Sequence, residues 1–155
     1  MMRNNKIWSS CVAGLVVIAV MLATVAALWA AAVGTCVQTA YNDFYLEMQW
    51  TGDNTGVAPA CNSTSAINGQ ATYIETFPGT PAPTASHAIT LKNTKLRDIA
   101  GGALTGLSAT VSKLQKPLLS DGTRAWVPVN SKILLTVTGN NAANSTEKVR
   151  IYYVK

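Results

Sequence analysis

A single uncharged apolar run, Ile7 to Gly34, constrains this chain more than any other feature. It follows a short basic leader, Met1-Met2-Arg3-Asn4-Asn5-Lys6, and its only polar side chains are Ser9, Ser10, Thr24 and the thiol of Cys11. As a helix the run would be about 42 Å long at ~1.5 Å per residue, against a bilayer hydrocarbon core of roughly 30 Å. An ordinary secretory signal needs only about 7–15 apolar residues before its cleavage site. Arg3 and Lys6 lie at the inner end, which directs everything after the run outward. Ala30-Ala31-Ala32 offers a signal-peptidase site, so a retained helix and a cleaved one are both open. A lipoprotein signal fits less well, because Thr35 precedes Cys36 where a small Gly, Ala or Ser is expected.

Large aliphatics alternate in this run with many small residues. Gly14, Ala19, Ala23 and Ala26 lie among Leu15, Ile18 and Leu22, and small residues let helix backbones approach closely. These seven positions are the expected helix-packing core. Beyond Gly34 the residues Val37, Ala40, Tyr41, Phe44 and Tyr45 recur at three-and-four spacing, which predicts that the helix continues and turns amphipathic. Gly52 and Gly56 mark its latest end. The expected organisation is a leader over 1–6, a long apolar then amphipathic helix over 7–50, and a separate domain over 51–155.

Lys6-Ile7-Trp8-Ser9-Ser10-Cys11-Val12-Ala13-Gly14-Leu15-Val16-Val17-Ile18-Ala19 resembles the N-terminus of archaeal type IV pilins and archaellins. Those proteins pair a short basic leader with a Ser-containing entry into a Val/Ile/Leu/Ala helix. Asn5-Lys6 stands where family leaders usually end in Gly or Ala, and no Glu follows near the mature start, unlike the bacterial type. The resemblance implies a class III signal peptide cut between Lys6 and Ile7 by a prepilin peptidase. It also implies a helix held in the cytoplasmic membrane until pilus machinery moves it into the core of a helical homopolymer.

About 105 residues follow from Thr51, enough for one small domain. Short runs rich in β-branched and aromatic residues occur at Ala71–Phe77, His87–Lys92, Leu104–Val111, Arg124–Val129, Lys132–Thr138 and Glu147–Val154, separated by Gly, Pro, Asn or Asp. That punctuation predicts an antiparallel sandwich. His87–Thr94, Leu104–Val111 and Trp126–Lys132 resemble segments of the Ig-like domain of archaeal pilins. The expected fold class is therefore α+β, a long N-terminal helix carrying an Ig-like β-sandwich. Pro78, Pro81 and Pro83 rule out a central strand between the first two runs and favour extended loop geometry.

Position sorts the three cysteines. Cys11 lies in the apolar run as a small buried thiol, while Cys36 and Cys61 fall on the outward side, where oxidation permits a disulfide. Two free thiols, or loss of Cys36 through processing, are the alternatives. Asn62-Ser63-Thr64 and Asn144-Ser145-Thr146 are glycosylation sequons in expected turns.

Catalysis finds no foothold. The single histidine, His87, falls in an expected strand, where a structural role is commoner than a catalytic one. The seven acidic residues make no close pair in sequence to poise an acid against a base. Gly101-Gly102 and Gly106 read as turn glycines, and no metal-ligand spacing is present. The net charge of +5 includes Arg3 and Lys6, and the remaining basic residues are scattered, so no nucleic-acid partner is expected. No enzymatic activity and no cofactor are expected. The function expected is that of a structural subunit of an extracellular filament, assembled through the N-terminal helix. The alternative is a membrane-anchored or secreted surface sandwich that binds a partner.

Overall fold

The computed structural model describes residues 33–119 and 121–155. These form nine strands and, among the described residues, no helix: β1 (Thr35–Tyr41), β2 (Tyr45–Thr51), β3 (Cys61–Asn62), β4 (Ile67–Pro78), β5 (Ala88–Lys92), β6 (Lys113–Gln115), β7 (Val127–Ser131), β8 (Leu134–Thr138) and β9 (Thr146–Val154). All pairings are antiparallel. One sheet runs β1-β2-β9-β4-β6 and the other β3-β8-β5. The twelve-residue β4 serves two partners, β7 along Ile67–Ala71 and β6 along Ile74–Thr76, while β9 follows its other side.

The sheets close over one core. Leu46, Met48 and Trp50 of β2, Ile74 of β4 and Val149 and Ile151 of β9 meet Ile89 and Leu91 of β5 and Leu135 of β8. Each is fully or almost fully buried. In β9 the buried residues alternate with outward ones, and in β2 the buried apolar residues Leu46, Met48 and Trp50 fall at every second position, which is the period-two pattern of a sheet with one face on a core.

This arrangement overturns the expected α+β class: the described chain is all-β, and residues 33–50, the described part of the helix expected over 7–50, contain no helix. Val37, Ala40, Tyr41, Phe44 and Tyr45 lie instead in a hairpin in which Thr35–Tyr41 pairs with Leu46–Thr51. Asn42 makes the turn. Its side-chain oxygen accepts from the amides of Phe44 and Tyr45, both at 2.9 Å, and its own amide donates to the Tyr45 carbonyl. An Asx-turn of this kind competes effectively with helix. The three-and-four spacing was a coincidence of residues that sit on two strands. Among the described residues, strand structure thus begins at Thr35, ahead of the boundary expected at Thr51.

Leu104–Val111, expected as a strand, is turn and bend. Gly101, Gly102 and Gly106 all have positive φ there. At Gly101 an added Cβ would stand 1.9 Å from the Leu118 carbonyl oxygen, so only glycine fits. The segment still helps the fold: Ile89 donates to the Leu104 carbonyl (2.9 Å) and Leu107 to that of His87 (3.0 Å), covering the free edge of β5.

Cys36 in β1 and Cys61 in β3 form a disulfide across the two sheets, with 25 residues of sequence separation. Both pack against the core. Closing a loop of this length contributes about 2–4 kcal/mol, mainly by restricting the unfolded chain. Cys61→Ser is expected to lower the unfolding free energy by about that amount, measured by urea denaturation beside the oxidised wild type.

Candidate functional site

Two groups of polar and aromatic side chains stand out, one inside the sandwich and one on it. The inner group is a pair, His87 and Glu147, both with wholly buried side chains. His87 precedes β5 and Glu147 lies near the start of β9, 60 residues away. The imidazole Nε2 stands 2.6 Å from Glu147 Oε2, and Nδ1 stands 2.8 Å from the Thr84 carbonyl oxygen. A carbonyl can only accept, so Nδ1 carries a proton and Nε2 shares the other with the carboxyl group. Burial disfavours the imidazolium, but the hydrogen bond and charge of Glu147, with the Thr84 carbonyl, more than offset it. The His87 pKa therefore lies above its ordinary value. Trp50 meets the ring edge-on at 6.1 Å between centroids. With no surface exposure, this pair cannot receive a substrate; it is a structural contact that joins β9 to the segment before β5.

The outer group lies on the solvent face of the larger sheet, where strand register sets side chains in rows. Tyr45, Tyr152 and Tyr73 occupy one row, and Glu47, Arg150, Glu75 and Leu114 the next. Arg150 is the hub. Its Nε and Nη2 donate to Glu47 Oε2 at 3.1 and 2.7 Å, and its Nη1 donates to Tyr152 Oη at 3.3 Å. The guanidinium lies over the rings of Tyr45 (4.6 Å) and Phe77 (4.9 Å). The hydrogen bonds from Arg150 to Tyr152 and Glu47 raise its pKa further, so it is permanently charged. For Glu47, burial works against ionisation but is outweighed by the bonds from Arg150 and Thr39 and by the nearby Lys148, leaving its pKa lowered. Tyr152 Oη in turn donates to Glu75 Oε2 at 2.8 Å.

At one end of this face a groove of about 390 Å³ opens between Phe44, Thr72, Tyr73, Glu75, Leu114, Tyr152 and Tyr153. Two irregularities make it: the Asn42 turn, which carries Phe44, and a bulge in β4 between Ala71 and Tyr73. A bulge re-aims the side chains beside it. Phe44 is 72% exposed and Leu114 56%, and large apolar groups exposed together commonly mark an interaction surface. Beneath them Tyr153 donates to the Asn42 carbonyl and holds the turn; burial pushes its hydroxyl up to about 12.

The sequons differ in setting. Asn62 and its Thr64 are both exposed. Asn144 is exposed in a left-handed conformation, but the Thr146 hydroxyl of its sequon donates to the Trp50 carbonyl at 2.9 Å. The leader junction Lys6–Ile7, Cys11 and the packing positions Gly14, Leu15, Ile18, Ala19, Leu22, Ala23 and Ala26 lie outside the described residues. Among the described residues no helix is long and apolar enough to cross a membrane, and no three His, Cys, Asp or Glu side chains converge to hold a metal.

Sequence reasoning missed both groups. The His87–Glu147 pair spans 60 residues, and the aromatic rows depend on a register that no local pattern reveals. Alternation within Glu147–Val154 was visible, and it could have flagged Lys148, Arg150 and Tyr152 as one face.

No family model matches this chain, and no curated protein does. Among solved structures it is similar to a chain of the cyanophage Pam1 capsid asymmetric unit, at 16% identity and a TM-score of 0.38, over 79% of this chain and 85% of that one. A likeness at this level carries no functional argument.

Proposed function

We propose that this chain is an exported surface protein that presents a β-sandwich outside the cytoplasmic membrane and acts by recognition. One observation carries the reading: an uncharged run of bilayer length leads, through Gly34, directly into a strand that bears half of a disulfide. Such bonds persist in oxidising compartments, and the basic leader orients the chain to reach one. Because β1 begins at Thr35, a cut after Ala32 would leave all nine strands whole.

A second reading is the filament subunit of the archaeal type IV pilus kind, favoured by the pattern over Lys6–Ala19. There the prepilin peptidase cuts between Lys6 and Ile7, and the apolar segments of many copies replace lipid around one another. The strand pairing over Thr35–Thr51 removes those residues from any such packing segment.

N-terminal mass spectrometry of protein from its native cells separates these readings. A chain beginning at Val33 or retaining Met1 is expected for the secreted or anchored surface protein. A chain beginning at Ile7 selects the filament subunit. Recovery in the cytoplasmic fraction overturns both.

A further inference from the structure

We infer that the groove between Phe44, Tyr73 and Leu114 binds a neutral saccharide. This names the ligand class for the surface-recognition reading above and rests on it. The lining decides the chemistry. Its rings and Leu114 supply an apolar floor, and its polar groups are the Glu75 carboxylate, the Thr72 hydroxyl and the phenols of Tyr73, Tyr152 and Tyr153, the last already donating to the Asn42 carbonyl. Glu75 Oε2 already accepts from Tyr152 Oη, leaving Oε1 to take a hydroxyl from a ligand. Thr72 Oγ1 donates to the Tyr152 carbonyl at 3.2 Å and keeps its lone pairs for a second hydroxyl.

The charges bordering the groove are of both signs, so an incoming anion meets the Glu75 carboxylate. Arg150 is tied into the sheet by Glu47 and Tyr152, which accept three of its N–H groups, and it does not line the groove. Lys116 Nζ stands 5.6 Å from the centre of the Tyr73 ring, so an incoming organic cation meets a like charge on that ring. A neutral ligand with one apolar face and a rim of hydroxyls meets neither obstacle. A pyranose ring fits that description: its C–H face lies on an aromatic ring while its hydroxyls reach carboxylate and hydroxyl partners. The volume of about 390 Å³ lies within the usual range for small-ligand sites. Arg150 donates to Tyr152, and the Asn42 turn fixes the backbone that carries Phe44.

The test uses the full chain purified from its native cells, titrated separately with maltohexaose, cellohexaose and N-acetylchitohexaose. Saturation-transfer NMR reports contact, and calorimetry reports affinity. At least one hexaose is expected to bind, with Tyr73→Ala and Phe44→Ala each weakening binding about tenfold. Val57→Ala, at an exposed apolar position elsewhere, is expected to leave binding unchanged. Absence of binding for all three sugars, or binding indifferent to Tyr73→Ala and Phe44→Ala, overturns the assignment. So does sedimentation showing self-association that Tyr73→Ala abolishes, because the groove then receives a second copy. A protein located at the surface that binds none of the sugars fails this inference alone; a cytoplasmic location fails the reading beneath it.

Discussion

Glu147→Ala is expected to destabilise the sandwich by about 3–5 kcal/mol in neutral or mildly acidic buffer, because it strips the counter-charge from a fully buried imidazole. The pH dependence identifies the cause. The folded-state pKa of His87 is raised above the unfolded value. The pair's contribution is therefore complete below the unfolded pKa of about 6.5 and fades as pH rises through the folded one. In Glu147→Ala the imidazole, left with burial as its main perturbation, prefers to be neutral. The stability gap between wild type and variant should then be widest on the acidic side and narrow with increasing pH. Urea denaturation from about pH 5 to about pH 9 measures this. A gap that is constant across the range would mean that Glu147 acts by packing alone.

Trp50→Ala is expected to cost a similar amount, about 3–5 kcal/mol, through loss of buried surface and the cavity left behind. Trp50 is wholly buried, lies directly across from Glu147 in the β2–β9 register and meets the His87 ring. Its indole Nε1 has no hydrogen-bond partner in the protein, so Trp50→Phe should retain most of the stability that Trp50→Ala loses. Since Trp50, His87 and Glu147 touch, the double variant Trp50→Ala with Glu147→Ala should be less destabilised than the two single effects added together. Strict additivity in chemical denaturation would contradict the shared environment.

Local signals carried some parts of this fold and misled on others. Strand runs such as Lys132–Thr138 and Glu147–Val154 overlap β8 and β9 because alternation within one strand is a local property. The β1–β2 hairpin was misread because Tyr41, Phe44 and Tyr45 satisfy a helical spacing while belonging to different strands and a turn. The decisive residue was Asn42, whose side chain caps the turn, and an apolar-periodicity reading gives it no weight. Leu104–Val111 has the composition of a strand, yet its flanking and internal glycines adopt positive φ and break it into turns. The His87–Glu147 pair and the Arg150-centred face were invisible for a different reason. Each is assembled from β9 and segments far from it in sequence, so only the register of the sheets brings them together.

The proposed placement of a stapled sandwich outside the cytoplasm, with β1 as part of it, is tested most directly by peptide mapping. Native cells are lysed into alkylating agent, and the protein is digested without reduction. One linked peptide pair containing Cys36 and Cys61 is the expected result, since these residues join β1 to β3 across the sheets. Recovery of both cysteines as separate alkylated peptides would contradict it.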